Sequence, residues 1–449
     1  MTPDAGAAPK ADAGAPLPAF AEALRVWLRI GLLSFGGPAA QIALMHREVV
    51  EQRGWVSDRR FLQALNFCML LPGPEAQQLA TYLGWLMHGV KGGLAAGLLF
   101  ILPGALVMLL LSAVYIGFGS LPLVAAMFFG LKCAALALVL EALLRVARKA
   151  LAGAPAWAAA GAAFAALFVF AVPFPLVVIA ALALGFAMPG AFTAGGHGGG
   201  GAGDSAVDRA LAADPELAAS RAAGARRAGL LALALWLWPV ALLSGTGLWG
   251  DLAWFFSQMA VVTFGGAYAV LAYVAQEAVE NHRWLSAADM LAGLGLAETT
   301  PGPLILVLQF VGTLAGAREA GWPGALLGAV LVLWVTFAPC FAWIFLGAPF
   351  VERAQGIARL AGALAAVTAA VVGVIANLAV WFALRVLFAE QAPTGLGALS
   401  LPLPSSLDVA ALLLAGFAAA LLFAARLGLL PTLALTSGAG LLLHLAGVV

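Results

Sequence analysis

Apolar residues gather into runs long enough to cross a bilayer, which takes about 20 of them at 1.5 Å rise per residue. Such runs lie near 20-45, 61-88, 92-117, 121-145, 154-170, 172-190, 229-247, 250-276, 287-316, 322-349, 357-388, 407-425 and 428-448. The pattern predicts an all-α, polytopic membrane protein of about 13 transmembrane helices. Polar sequence interrupts it twice. Residues 1-19, with Asp4, Asp12 and four prolines, lack the basic head and apolar core of a signal peptide and read as a disordered N-terminal tail. Residues 191-228, Gly-rich and then charged, read as an exposed cytoplasmic linker. The expected division is therefore 20-190 as a first repeat of six spans, 229-247 as a linking span, and 248-449 as a second repeat of six.

The chain repeats itself. At an offset of 229, residues 34-74 align without a gap to 263-303, with fifteen of 41 positions identical where this composition gives about a tenth by chance. Ser34-Phe35-Gly36-Gly37 meets Thr263-Phe264-Gly265-Gly266, Glu48 and Glu51 meet Glu277 and Glu280, and Pro72-Gly73-Pro74 meets Pro301-Gly302-Pro303. Because one odd span, 229-247, separates the copies, they enter from opposite faces. That is the inverted-topology repeat of secondary transporters, whose site lies near the midplane.

Each Pro-Gly-Pro stands inside an otherwise apolar run. Two prolines remove two backbone donors and glycine permits a sharp re-entry, so the helices are discontinuous at Pro-Gly-Pro. Pro74 and Pro303 suit the first turn of the second half-helices, whose free N–H groups welcome an anion. A plain proline kink is the alternative at a single site; repetition in register favours a binding site. The Gly36-Gly37 and Gly265-Gly266 pairs serve equally a tight helix crossing or close approach to substrate.

Charges inside spans are costly and usually functional. Lys132 lies near the centre of its span, with no acid three or four residues away. A bound anion would supply its counter-charge; otherwise an ion pair with Glu75 or Glu298 would. Glu75 follows Pro74 directly and is either a proton carrier or an acid satisfying a helix N-terminus; Glu298 precedes Pro301, and its repeat partner is Met69. Gln78, with Gln77, Asn66, Gln309 and Asn377, could line a polar path or simply bond between helices. Glu141 with Arg145 reads as an ordinary i,i+4 pair without a role. Glu48, Glu51, Glu277 and Glu280 beside Arg47, Arg53 and Arg283 read as solvated, ion-paired loops rather than gates.

Composition narrows the class. With 63% hydrophobic and 10% charged residues and a mean hydropathy of +1.03, a soluble globular fold is excluded. The 22 basic and 21 acidic residues leave no field for nucleic acid. Fifteen basic residues fall on the N-terminal side against six opposite, which sets the N-terminus in the cytoplasm and the C-terminus outside. The exception is the 46-60 loop, with four arginines on the minority side. Cys68, Cys133 and Cys340 lie in apolar runs without metal-ligand spacing, so no metal or cofactor is expected. Neither a phosphate-binding loop nor a nucleophile with its base is present, so neither a self-contained ATPase nor an enzyme is expected.

Ser34-Phe35-Gly36-Gly37-Pro38, Glu48, the Trp55 region, Pro72-Gly73-Pro74 with Glu75 and Gln78, Thr263-Phe264-Gly265-Gly266 and Pro301-Gly302-Pro303 resemble the long, two-domain members of the chromate ion transporter family of bacteria. The resemblance covers nearly the whole chain. It implies thirteen spans in two antiparallel halves and export of chromate, conferring resistance, with sulfate the close analogue. Ala267 for Pro38 and Leu304 for Glu75 depart from it in the second half. The expected partners are a tetrahedral oxyanion and the lipid bilayer, with room for a homodimer. A sulfate carrier, or an assembly subunit without transport of its own, are the alternatives.

Overall fold

A computed structural model describes residues 17–192, 205–213, 215–264, 267–350, 358–393 and 400–448. Residues 1–16 of the expected tail and 193–204 of the linker lie outside the described residues. The described chain is helical apart from one short antiparallel ribbon, Gln391–Pro393 with Ser400–Pro402.

The first repeat opens with α1 (Phe20–Leu33), α2 (Gly37–His46) and α3 (Asp58–Met69), of 14, 10 and 12 residues. At 1.5 Å per residue they are about 21, 15 and 18 Å long, short of the ~30 Å hydrocarbon core. α4 (Glu75–Phe118) is folded in two at His88 (φ −133°) and Gly89 (φ 62°). Its short arm, 75–87, doubles back on its long arm, 90–118: a Cβ on Gly84 would stand 2.4 Å from the Gly92 carbonyl oxygen. Phe20 packs on His88 with ring centroids 5.4 Å apart, and Gly31 lies against the Leu99 carbonyl. α1 thus enters beside His88 and ends at mid-depth. The chain then turns back, because Arg29 of α1 reaches Glu48, after α2, at 3.7 Å. α3 and the short arm form a second hairpin, with Phe67 and Tyr82 5.7 Å apart.

The runs 20-45 and 61-88, each expected to be one crossing, are therefore folded as helical hairpins, α1 with α2 and α3 with the short arm of α4. A glycine pair and a Pro-Gly-Pro free the chain to reverse where a continuous helix could not. This moves the 46-60 loop to the linker face. Ala206 and Val207 donate their N–H groups to Gly54 and Trp55 carbonyls at 3.4 and 3.2 Å, and Arg60 Nε lies 2.5 Å from Asp208. Those linker residues belong to α8 (Ala206–Ala213), and Arg221 of α9 (Pro215–Leu242) donates to the Leu86 carbonyl at 2.6 Å. Residues 205–228, expected to be an exposed linker, are thus largely helical, with Val207 and Ala225 buried.

After α4 the chain returns through α5 (Pro122–Ala150), and α6 (Ala154–Phe168) and α7 (Phe174–Ala187) follow. The second repeat runs through α10 (Leu248–Val262), α11 (Ala267–Gln276), α12 (Ala287–Thr299), α13 (Val307–Gly347), α14 (Ala358–Leu387), α15 (Val409–Ala419) and α16 (Leu429–Leu445). α13 folds as α4 does, at Ala320 (φ −141°) and Gly321 (φ 61°). Its long arm packs antiparallel to that of α4, with Gly93 against Phe345 and Gly97 against Phe341. α5 packs on α15 and α16, and α14 packs on α6 and α7, so each repeat clasps the other. Among the described residues five helices are long and apolar enough to cross a membrane, against thirteen apolar runs; the remainder are hairpin arms and shorter helices.

Candidate functional site

The helix breaks meet in pairs across the repeats. Gly36 and Gly37 take φ of 86° and 79°, and Gly73 and Gly302 take 125° and 89°, left-handed backbone open to glycine. Gly73 N–H donates to the Thr263 carbonyl and Gly302 N–H to the Ser34 carbonyl, both at 2.8 Å. Each Pro-Gly-Pro is therefore bonded to the residue of the other repeat, Thr263 or Ser34, at which α10 or α1 ends. The hydroxyls of Ser34 and Thr263 turn back to bond Ile30 and Met259 in their own helices, leaving those two carbonyls for the partner half. Gln41, fully buried, donates to the Gly302 carbonyl at 2.6 Å and the Ser34 carbonyl at 3.2 Å. Gln78 Nε2 donates to the Pro72 carbonyl at 2.7 Å, closing that loop over the first turn of the short arm.

Depth follows from packing. Thr81 lies against Gly93 and Gly97 of the long arm, which puts Glu75, nearly two turns earlier, level with its middle. Pro301 reaches the same level from the other half, since a Cβ on Gly104 would stand 2.0 Å from its carbonyl oxygen. The Pro74 end of the short arm has no side-chain cap from Pro74, and the Glu75 carboxylate turns back to its own backbone N–H there.

Arg145, which the sequence spacing left without a role, stands at the first break. Its Nε donates to Glu141 at 3.2 Å, while Nη1 lies 3.7 Å from where a Cβ on Gly37 would be. Tyr268 donates its hydroxyl to Glu298, and both lie within electrostatic reach of Arg145. Lys132 is elsewhere. It forms no ion pair within 4 Å among the described residues, and the acid acting on it is Asp289 rather than Glu75 or Glu298. Asp289 is held by Arg318 at 2.8 Å and by the Tyr115 hydroxyl at 2.7 Å. Gly265 and Gly266 lie outside the described residues.

The repeats diverge in a way that an ungapped alignment hides. The single turn Leu304–Leu306 adds three residues, so Gln77 and Thr81 correspond to Gln309 and Thr313, and Glu75 to Val307 rather than Leu304. Gln77 bonds Thr81 at 3.0 Å, and Gln309 bonds the Ala105 carbonyl at 3.0 Å. Asn377 is buried and Asn66 exposed. The repeated glutamates are not all solvated. Glu48 is 1% exposed and held by Arg53 at 2.6 Å, whereas Glu280 takes bonds from Trp381 at 2.8 Å and Arg385 at 2.7 Å.

Sequence reasoning missed Gln41, Arg145 and Tyr268. Gln41 and Tyr268 each follow a glycine break by a few residues, and a polar group beside a break is the signal that could have found them.

Half-membrane hairpins meeting beside buried charged groups define a multi-pass membrane transport protein. The chain belongs to the Chromate transporter family, whose model matches residues 21–186 and 250–443, leaving out the linker and helix α9. It is 34% identical over 359 residues, 78% of this chain and 77% of the relative, to a chromate transport protein of Pseudomonas aeruginosa. It is 28% identical over 383 residues, 83% of this chain and 84% of the relative, to one of Cupriavidus metallidurans. No solved structure matches it.

Proposed function

We propose that this protein is a secondary transporter that carries chromate outward across a bacterial cytoplasmic membrane, confers chromate resistance, and draws on inward proton movement. One observation carries the reading: each Pro-Gly-Pro is bonded to the other repeat where that repeat's first helix ends, at Thr263 or Ser34, with the Arg145 guanidinium beside Gly37. A dianion at that level would be met by the N-terminal end of the short arm and by Arg145, whereas the acid that acts on Lys132 is Asp289. The antiparallel long arms support an inverted-topology pair of repeats, and rocking one repeat against the other would break and remake the Gly73–Thr263 and Gly302–Ser34 bonds. Glu75 and Glu298, at the two breaks, are the groups for proton coupling. With the 46-60 loop on the linker face, its four arginines join the basic majority, which supports a cytoplasmic N-terminus.

The test is chromate flux by the purified protein in liposomes under an imposed pH gradient. Uptake driven by the gradient is expected. Flux that ignores the gradient would remove the coupling, and no flux at all would favour a subunit without transport of its own. Competition by sulfate in the same vesicles separates a chromate carrier from a sulfate carrier that takes chromate as its analogue.

A further inference from the structure

A cleft of about 460 Å³ opens between the C-terminal part of α5 and the turn that links α15 to α16. Arg145, Arg148 and Arg426 line it with Glu141, between apolar walls of Leu144 and Phe423. Three guanidinium groups face one carboxylate, an excess of two positive charges. Glu141 occupies Nε and Nη2 of Arg145, so its Nη1 is left toward Gly37. Arg148 and Arg426 have no ion pair or hydrogen bond from their side chains among the described residues. Arg426 also holds a positive φ of 52°, backbone that a non-glycine residue adopts at a cost. Like charges brought together without counter-ions repel, and Arg145, Arg148 and Arg426 are exposed here with Glu141 as the one acid among the residues that line the cleft. A dianion in the cleft would relieve that repulsion, and the volume leaves room for such an ion with several of its waters.

We propose that this cleft is a capture site for a tetrahedral oxyanion dianion, with Arg148 and Arg426 as its outer donors and Arg145 as the group that passes the ion to the Gly37 break. The proposal rests on the transport reading above and goes further by naming where the ion first binds. A phospholipid headgroup offers the same phosphate-like oxygens, so the test separates a free ion from lipid.

The full chain is purified into nanodiscs of zwitterionic lipid, and chromate binding is measured by equilibrium dialysis. The R148Q/R426Q variant is expected to bind chromate at least tenfold more weakly, as befits the loss of charge-assisted bonds. The R148K/R426K variant, which keeps the charges, is expected to retain most of the affinity, separating charge from packing. In nanodiscs containing phosphatidylglycerol, the wild type is expected to keep its chromate affinity. Equal affinity in wild type and R148Q/R426Q overturns the proposal, as does a variant that loses only its retention of anionic lipid. A wild type that binds no chromate at all overturns the transport reading as well, so the two failures are distinguishable.

Discussion

Gly104 lies in the middle of the long arm of α4, where the backbone of the second Pro-Gly-Pro presses closest. A Cβ there would stand 2.0 Å from the Pro301 carbonyl oxygen and 2.6 Å from a methyl of Leu306. An ordinary carbon–oxygen contact is about 3.2 Å, so G104A must move the loop by roughly 1.2 Å or keep an overpacked contact costing about 1–3 kcal/mol. That shift also strains the Gly302–Ser34 bond and the Gln41 bond to the Gly302 carbonyl, each contributing ~1 kcal/mol. Alanine returns about 1 kcal/mol in helix propensity. The net expectation is a destabilisation of about 2–4 kcal/mol, centred on the contact between the repeats. Gly117 of the same arm, where a Cβ would find only Trp322 at 4.0 Å, is the control: G117A should be neutral or mildly stabilising. Thermal unfolding of both variants in the same detergent, with chromate uptake into inverted vesicles, reads the difference. G104A with wild-type melting and uptake would refute the tight apposition of loop and helix.

Three other outcomes follow. E75Q should insert normally yet blunt the response of chromate flux to a pH gradient, and an unchanged response in proteoliposomes removes Glu75 as the proton carrier. R53A leaves the Glu48 carboxylate buried with only Arg29, at 3.7 Å, for company and should cost about 3 kcal/mol, whereas R53M with E48Q should recover most of the lost melting temperature. Burial opposes the charged form of Asp208, but bonds from Ser205, Ser57 and Arg60 outweigh it and hold its carboxyl below the ordinary value. Its contribution to the linker seat is therefore complete above pH ~4 and fades as pH falls through the lowered value. The protection factors of the Ala206 and Val207 amides, which are exchange rates corrected for their intrinsic pH dependence, should be high at pH 7, fall at low pH, and be low at pH 7 in D208N.

The relation between sequence and structure is clearest at single residues. Pro72-Gly73-Pro74 and its repeat announce broken helices because proline lacks a donor and glycine admits a positive φ, a local consequence that needs no neighbour. The apolar runs, the family and the repeat are legible for the same reason: each is a property of neighbouring positions or of one segment against another. Whether a broken helix crosses or turns back is not local. Residues 20-45 and 61-88 have the length of spans, and contacts distant in the chain, Arg29 with Glu48 and Arg60 with Asp208, make them helical hairpins. Arg145 shows the same limit: its spacing from Glu141 is that of any surface pair, and the return of α5 past the first break gives it Gly37 as a neighbour. Patterning along a chain thus determines what each segment can do in lipid, since hydrophobicity and backbone freedom belong to residues. Which segments meet, and which charges share a cleft, depends on packing between residues far apart in sequence, and only the folded molecule decides it.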